Sequence, residues 1–423
     1  MSQEINKAEK QDLSLVVQAI GTDLEHTQVR VVASANADML FHYWKVGHFI
    51  LYLQKKEGWG SKVIDNLSKA IRSKYPDKKG YSRRNIFYMC QFASAYPLEV
   101  LKEMDRIDSL LTTPTVEKVL SLTNELNQIV QQPVALIQAT ENQSNTITQQ
   151  PVAQLEEVTE TLSAIYHCDI SQIEEIFKHS AIVRTNWASH VILLNSKLPL
   201  GECYWYITQA VANGWSRNVL QMQIETNLFA RQITAKKVSN FSVRLPKPQS
   251  DLANYLMKDP YIFDMMGQTD KMAERDIERQ LVSHITKYLL EMGSGFAFVA
   301  QQKHFEVGDS DFYADLILYN IQLHAYVVIE LKATPFKPEY MGQLNFYINV
   351  VDDTLRGEHD NKTIGLLLCN GGDKVVAQYA LSGYDQPIGV SDYQLSKAIP
   401  DNLKSALPTV EEVEEELNRI MNI

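Results

Sequence analysis

The sequence predicts a protein of mixed α and β structure, with a helical N-terminal half and an α/β C-terminal half. In the first half, apolar residues recur at three- and four-residue steps, as on the buried side of an amphipathic helix. In the second half, two runs rich in β-branched and aromatic residues, 312–320 and 325–332, flank a short polar break, which is typical of a β-hairpin. A chain of 423 residues is long enough for two to three domains.

Helical periodicity is predicted from residue 11 to residue 112. One apolar stripe within it comprises Ala37, Leu40, Phe41, Trp44, Gly47, His48 and Leu51. Residues at this spacing lie on one side of a helix, so we expect the stripe to be buried against other helices.

Two segments begin helices with the same short pattern. Ser82 precedes Arg83 and Arg84, and Gly214-Trp-Ser216 precedes Arg217. A capping serine followed by arginine gathers free backbone N–H groups and guanidinium groups, which suits a phosphate. The alternative is that the aromatic residue packs at the helix start and the arginines are merely solvated.

Residues 113–160 are predicted to be a flexible insert. They are rich in Thr, Gln and Asn, and the motif Gln-Gln-Pro-Val-Ala occurs at 131–135 and again at 149–153. Few large apolar side chains are present to offset the entropy lost on ordering.

The domain boundary is predicted at residues 245–250, where two prolines and polar residues suggest a linker. This divides the chain into an N-terminal domain at 11–245, a second domain at 246–402 and an acidic helical tail at 403–423. The tail carries five glutamates between residues 411 and 416, which a solvated helix face explains.

The predicted hairpin brings three charged side chains together. If its turn is centred between Gln322 and Leu323, residues whose numbers sum to 645 face each other, and Asp315 lies opposite Glu330. Lys332 projects from the same face, two residues beyond Glu330. Facing carboxylates repel unless a cation lies between them, and Mg²⁺ binds one or two such groups. A lysine beside the ion can orient water or stabilise negative charge on a phosphate.

A surface ion pair is the competing interpretation of these three residues. Such a pair contributes only ~0–1 kcal/mol. It gives no reason for three chargeable groups to share one face of strands that are otherwise strongly apolar.

The Asp315…Glu330-x-Lys332 arrangement resembles the motif of the PD-(D/E)xK nucleases, although alanine precedes Asp315 where the pattern has proline. A lone Glu-x-Lys is a weak signal, but residues 245 to 397 resemble the YhcG-like family of these nucleases. The segments that carry the resemblance are Lys258–Asp264, Gly295–Phe298, Phe336–Tyr340, Gly342–Tyr347, Val351–Asp353, Thr363–Gly365 and Pro387–Val390.

The resemblance implies a restriction-endonuclease-like fold with a mixed central sheet and a divalent-metal site. Asp315, Glu330 and the carbonyl of Leu331 would hold Mg²⁺, with Mn²⁺ as an alternative, and Lys332 would be catalytic. Gln343 and Tyr347 have the Gln-x-x-x-Tyr spacing that follows the motif lysine in RecB-like nucleases, where this pair approaches substrate or water. We therefore expect Gln343 in the site. Tyr347 could equally be a core aromatic residue.

Glu278 is a further candidate metal ligand. It shares a predicted helix face with Leu281, Val282 and Ile285, and a carboxylate on an apolar stripe is costly unless it is paired or binds a metal. An acidic residue on the first core helix points at the metal in many PD-(D/E)xK folds, which implies that role here. The alternative is a glutamate favoured by the dipole at the helix N-terminus.

The N-terminal half resembles the domain found with YhcG-like nucleases, which is thought to be helical and winged-helix-like with a DNA-binding role. The segments concerned are Gly58–Ile64, Gly80–Asn85, Tyr88–Met89, Gly214–Ser216 and Gln223–Glu225. If the resemblance holds, Arg83, Arg84 and Arg217 should face the duplex.

Composition limits the remaining possibilities. A net charge of −11 argues against a generally cationic nucleic-acid binder, although residues 55–84 carry ten Lys/Arg and three Asp/Glu. The longest apolar runs are too short to cross a bilayer, and no apolar signal segment begins the chain. Four scattered cysteines fit a reducing compartment, so we expect a cytoplasmic protein.

The sequence thus favours a metal-dependent nuclease acting on DNA. The rival hypotheses are a nuclease-like DNA-binding or assembly module that is inactive alone, and an N-terminal scaffold with no DNA role. Many nucleases of this fold act in pairs, so a homo-oligomer stays open, as does a protein partner bound through the insert or the acidic tail. DNA versus RNA, endo- versus exonucleolytic action and specificity cannot be inferred from the sequence.

Overall fold

The chain divides into two compact units. One comprises Met1–Ser109 and Leu126–Ile207, and the other comprises Leu110–Glu125 and Thr208–Ile423. The computed structural model describes residues 33–53, 62–76, 80–110, 114–130, 154–264, 289, 291–293 and 295–396.

The N-terminal half is helical, as predicted. Its helices are α1 (33–53), α2 (Lys62–Lys74), α3 (Arg83–Ala95), α4 (Leu98–Leu110), α5 (Val116–Val130), α6 (Gln154–Tyr166), α7 (Ile170–His179), α8 (Trp187–Ser196), α9 (Leu200–Ala212) and α10 (Arg217–Glu225). In the described residues as far as Glu225 no strand is present, so none supplies the wing that a winged helix would have. The described part of the chain contains no helix with the length and apolar composition that crossing a membrane requires.

The apolar stripe of α1 is buried, which confirms the periodicity argument. Leu40 and Trp44 are 0 % exposed, and Phe41 packs on Phe177 of α7 with ring centroids 5.1 Å apart. The Trp44 indole N–H donates to the Tyr96 carbonyl at 2.7 Å, so its polar atom is also satisfied within the helical core.

Both predicted serine caps are present. The Ser82 side chain accepts from the Asn85 backbone N–H at 3.2 Å, and Ser216 accepts from that of Val219 at 3.3 Å. Each cap begins its helix, α3 and α10, at the predicted residue.

The predicted flexible insert is too long at both ends. Val116–Val130 and Gln154–Tyr166 are helices, and Leu126 and Leu162 are 0 % exposed. The polar composition suggested disorder, but a few leucines at helical spacing are enough to bury one side of each helix. Residues 131–153 lie outside the described residues.

The second unit contains a mixed sheet, which confirms the predicted fold class. Its strands are β1 (Val238–Ser239), β2 (Tyr261–Asp264), β3 (Phe296–Val307), β4 (Ser310–Asn320), β5 (Ala325–Lys332), β6 (Ile364–Cys369) and β7 (Ile388–Ser396). Their order is β1-β7-β6-β5-β4-β3, with β2 paired to β7. β3, β4 and β5 are antiparallel, whereas β5, β6 and β7 are parallel.

Helices cover both faces of this sheet. α11 (Phe241–Arg244) and α12 (Lys247–Leu256) pack on one face, and α13 (Tyr340–Thr354) and α14 (Lys374–Leu381) on the other. Gly365 of β6 lets α13 approach closely, because a Cβ there would lie 2.5 Å from the Ile348 Cδ1. Strands buried on both sides explain the apolar runs of β5 and β6.

The predicted linker at 245–250 is wrong, and so is the boundary at residue 245. Leu245 is 7 % exposed and belongs to the core beneath the sheet, and α12 begins at Lys247. Upstream, β1 pairs with β7, so the second unit begins well before the two prolines. Proline at the first turn of a helix is favourable, which is why these prolines do not mark a linker.

Ion pairs with buried members join this upstream region to the segments that flank the sheet. Arg231 donates to the Glu291 carboxylate at 2.5 Å, and Asp259 accepts from Lys374 at 2.5 Å. Lys258 is 3 % exposed, and burial lowers its pKa to about 8, although Glu291 opposes that shift. Lys258 and Asp259 therefore have structural partners, Glu291 at 3.9 Å and Lys374 at 2.5 Å, and sequence reasoning recognised these two residues only as part of a family resemblance.

Candidate active site

The hairpin of β4 and β5 has the predicted register. Its rungs run from Asn320/Ala325 to Leu316/Ile329, and each pair of numbers sums to 645. Asp315 and Glu330 lie one position beyond the last rung, where the ladder between the two strands ends. The alternation of apolar residues determined this register, because a slip by one residue would turn every buried side chain outward.

β5 places Glu330 and Lys332 on the face that α13 covers. Val328 of the same strand packs against α13, and alternation puts the next two even-numbered residues on that face. The Lys332 ammonium donates to the Glu330 carboxylate at 2.8 Å, and the two side chains are only 13 % and 1 % exposed. An ion pair is therefore nearly buried within apolar strands, where the surface interpretation does not apply.

The Asp315 carboxylate is held at the end of the ladder. Its Oδ2 accepts from the Leu331 backbone N–H at 3.0 Å, so this side chain takes the acceptor position that the next backbone carbonyl of β4 would otherwise have. The bond ties Asp315 to the residue between Glu330 and Lys332. Three groups predicted from the sequence are thereby assembled at one end of the hairpin.

Gln302 of β3 also contacts Asp315, and sequence reasoning missed it. Its side-chain amide donates to the Asp315 Oδ1 at 3.1 Å. A glutamine in an exposed strand of mixed composition carries no signal that would single it out.

α13 brings a tyrosine to Lys332, and the predicted Gln343 lies on the same helix. The Lys332 ammonium lies 5.5 Å from the centroid of the Tyr340 ring, and the Tyr340 hydroxyl is 2.6 Å from the Thr334 hydroxyl. Gln343 is exposed one turn further along the helix, where its amide is 3.5 Å from the Tyr347 hydroxyl. Tyr347 is 5 % exposed, so it is a core residue that also touches Gln343.

The donor set suits a hard divalent cation. Asp315 and Glu330 supply carboxylate oxygens, the ligands that Mg²⁺ prefers. Among the residues that the structure describes, no group of three or more His, Cys, Asp or Glu side chains is arranged to hold a metal. The predicted third acid, Glu278, lies outside the described residues.

The predicted phosphate-binding arginines lie at helix starts but in different units. Arg83 is 68 % exposed at its side chain and pairs with Asp65 at 3.0 Å, and Arg84 donates to the Tyr88 hydroxyl at 3.3 Å. Arg217 is exposed at the start of α10, which belongs to the second unit. The two similar segments are therefore not parts of one domain.

A mixed sheet with helices on both faces, carrying Asp…Glu-x-Lys at the end of a central hairpin, defines a PD-(D/E)xK-type nuclease domain. Residues 254–408 match the family model described as the YhcG PDDEXK nuclease domain, and residues 19–122 match that of the DUF1016 N-terminal domain. The chain belongs to the YhcG-like PD-(D/E)xK family.

Comparison with individual proteins gives one relative and one solved structure. The protein named "Putative nuclease YhcG" of Escherichia coli (strain K12) is 28 % identical over 203 residues, which are 48 % of this chain. The chain spans only about half of that relative, 54 % of its length. The crystal structure of a repair endonuclease from Pyrococcus abyssi matches 31 % of this chain and 50 % of its own, at 14 % identity and a TM-score of 0.21. That score supports no conclusion about fold or function.

Proposed function

We propose that this chain is a metal-dependent nuclease that hydrolyses phosphodiester bonds in DNA. The observation that carries the proposal is the nearly buried Glu330–Lys332 pair beside Asp315, at the point where the β4–β5 ladder ends. A buried ion pair rarely improves stability by itself, so the retention of these charges favours a functional role.

Asp315, Glu330 and the backbone carbonyl of Leu331 would hold Mg²⁺ or Mn²⁺, with Glu278 assisting. The bound ion would act as a Lewis acid toward a phosphate oxygen. Two carboxylates of this chain would fix its position, since Asp315 is oriented by the Leu331 N–H and Glu330 by the Lys332 ammonium.

Lys332 would position the attacking water or stabilise the negative charge that develops on the phosphate. Its ammonium is confined by the Glu330 carboxylate and the Tyr340 ring, which limits the geometries it can adopt. Gln343 would orient substrate or water. Attack of water on phosphorus breaks one ester bond and yields a phosphomonoester and a free hydroxyl.

The N-terminal unit, together with α10 of the second unit, would contribute to holding DNA. Arg83 and Arg84 lie at the capped start of α3, where backbone N–H groups and guanidinium groups favour a phosphate, and Arg217 has the corresponding place on α10. The local excess of positive charge at residues 55–84 supports this role within an acidic chain.

Cleavage of supercoiled plasmid by the purified full-length chain tests the proposal. We expect nicking or linearisation with Mg²⁺ or Mn²⁺, none with EDTA, and none by Glu330→Gln, which keeps the size of the side chain but removes its charge. Glu358→Gln is the matched control, because Glu358 is an exposed acid of the same domain, and it should cleave like wild type. Folded wild-type protein that binds DNA but does not cut it would favour the DNA-binding module instead.

A further inference from the structure

Gln302 has a backbone conformation that its surroundings in β3 do not explain. Its φ is +43°, in the left-handed region that non-glycine residues seldom occupy. The other four non-glycine residues with positive φ in the described part of the chain, His167, Lys197, Asn227 and His324, all lie in turns. Gln302 alone among these five lies inside a paired strand.

Pairing continues on both sides of Gln302. Gln301 pairs with Leu316 and Lys303 pairs with Ala314, so the register sets Gln302 against Asp315, yet these two form no rung of the ladder. A left-handed residue at such a place costs of order 1–3 kcal/mol and persists only where something else requires it. Gln302 is exposed, so burial of its side chain does not supply the compensation.

The contact with Asp315 supplies a reason. The Gln302 amide donates to Oδ1 at 3.1 Å while the Leu331 N–H donates to Oδ2 at 3.0 Å, so the two oxygens are held from two neighbouring strands. Two bonds to different oxygens fix the rotation of a carboxylate. Each oxygen has two lone-pair positions, so each can accept one of these bonds and still face a cation.

We infer that Gln302 is a positioning residue that holds the Asp315 carboxylate in the orientation that binds the divalent metal. The inference rests on the proposed function, in which Asp315 is a metal ligand. Groups that hydrogen-bond to metal ligands raise metal affinity because they remove the rotational freedom that binding would otherwise have to freeze.

The test is the affinity of the full-length protein for Mn²⁺, measured by electron paramagnetic resonance of the free ion, which requires no catalysis. Gln302→Gly removes the amide and leaves the left-handed φ accessible without strain. We expect its Mn²⁺ affinity to fall by about 10- to 100-fold, the usual effect of losing a group that orients a metal ligand. Thermal unfolding should stay near that of wild type, because relief of strain offsets the lost hydrogen bond.

His324→Gly is the matched control. His324 has a φ of +47° in the β4–β5 turn, so glycine relieves the same kind of strain there without touching Asp315. Its Mn²⁺ affinity should equal that of wild type, and an equal loss in both variants would overturn the role given to Gln302.

Asp315→Asn separates this inference from the proposed function. If Asp315→Asn loses Mn²⁺ binding while Gln302→Gly keeps wild-type affinity, Gln302 has no positioning role and the metal site stands. If Asp315→Asn itself binds Mn²⁺ like wild type, the proposed metal site is wrong, and Gln302 then has no metal ligand to position.

Discussion

Glu330 and Lys332 place opposite charges where stability alone would favour apolar residues. Their neighbours on β5, Ile329 and Leu331, are buried in the core, and the Glu330 side chain is 1 % exposed. Removing two charges from water costs several kcal/mol per ion, and their attraction often fails to recover it. We therefore expect this residue pair to lower the stability of the chain, as it would if the two charges serve the proposed chemistry.

This view predicts opposite outcomes for a single and a double substitution. Lys332→Met leaves a buried carboxylate without its ammonium and should destabilise the sheet by about 3–5 kcal/mol. Glu330→Leu combined with Lys332→Met removes both charges and should be as stable as wild type or more so, though inactive. Hydrogen exchange of the β5 and β6 amides in the full chain measures this local stability. A double variant less stable than wild type would show that the pair itself stabilises the fold.

Among the elements, the pair α1 and α3 depends on a single glycine. A Cβ on Gly47 of α1 would lie 2.1 Å from the Met89 carbonyl oxygen and 2.8 Å from the Ala93 Cβ, both on α3. Backbone cannot move aside as the end of a flexible side chain can. The two helices therefore touch through their backbones at this point.

Gly47→Ala should consequently destabilise the N-terminal unit by about 1–3 kcal/mol or more, the usual cost of overpacking. Gly342→Ala is the matched opposite, because Gly342 of α13 has only the Tyr384 hydroxyl nearby, at 4.0 Å. There alanine should stabilise its helix by roughly 0.5–1 kcal/mol, since glycine loses more conformational freedom on folding. Amide exchange in α3 and in α13 reports each effect. A change of stability in the same direction in both variants would contradict the packing argument.

Elements with a regular pattern were predictable from the sequence, and those that depend on long-range packing were not. The β4–β5 register follows from apolar alternation, and the caps at Ser82 and Ser216 follow from local chemistry. The prolines at the start of α12, Pro246 and Pro248, suggested a linker because nothing in the local sequence reveals that Leu245 enters the core.

The candidate site likewise contains residues that the sequence predicts and residues that it does not. Asp315, Glu330 and Lys332 were predictable because they interrupt apolar strands at a fixed spacing. Gln302 and Tyr340 were not, since they reach the site through a left-handed residue on β3 and through the approach of α13 to the sheet. Neither relation has a signature in sequence spacing.

For the whole molecule, the distribution of charge should govern binding to DNA. A chain with a net charge of −11 repels a polyanion, so binding must depend on local positive charge such as that at residues 55–84. Arg83 is partly neutralised by Asp65, whereas Arg217 is exposed with no ion pair among the described residues. Each arginine that contacts a phosphate displaces a condensed counterion, which makes its contribution measurable through salt.

The last prediction concerns the affinity for duplex DNA, measured at several salt concentrations with the Glu330→Gln variant, which should bind DNA without cutting it. The quantity compared is the slope of log affinity against log salt concentration. Each phosphate contact contributes about −0.9 to that slope. Replacing Arg217 by glutamine should therefore make the slope shallower by about 1, and replacing Arg83 and Arg84 together by up to about 2, less if Asp65 neutralises Arg83. Lys362→Gln, an exposed cation of the second unit that we place outside the DNA contacts, should leave the slope unchanged. Unchanged slopes in both arginine variants would remove these arginines from the DNA-binding surface and leave the nuclease domain to hold the substrate by itself.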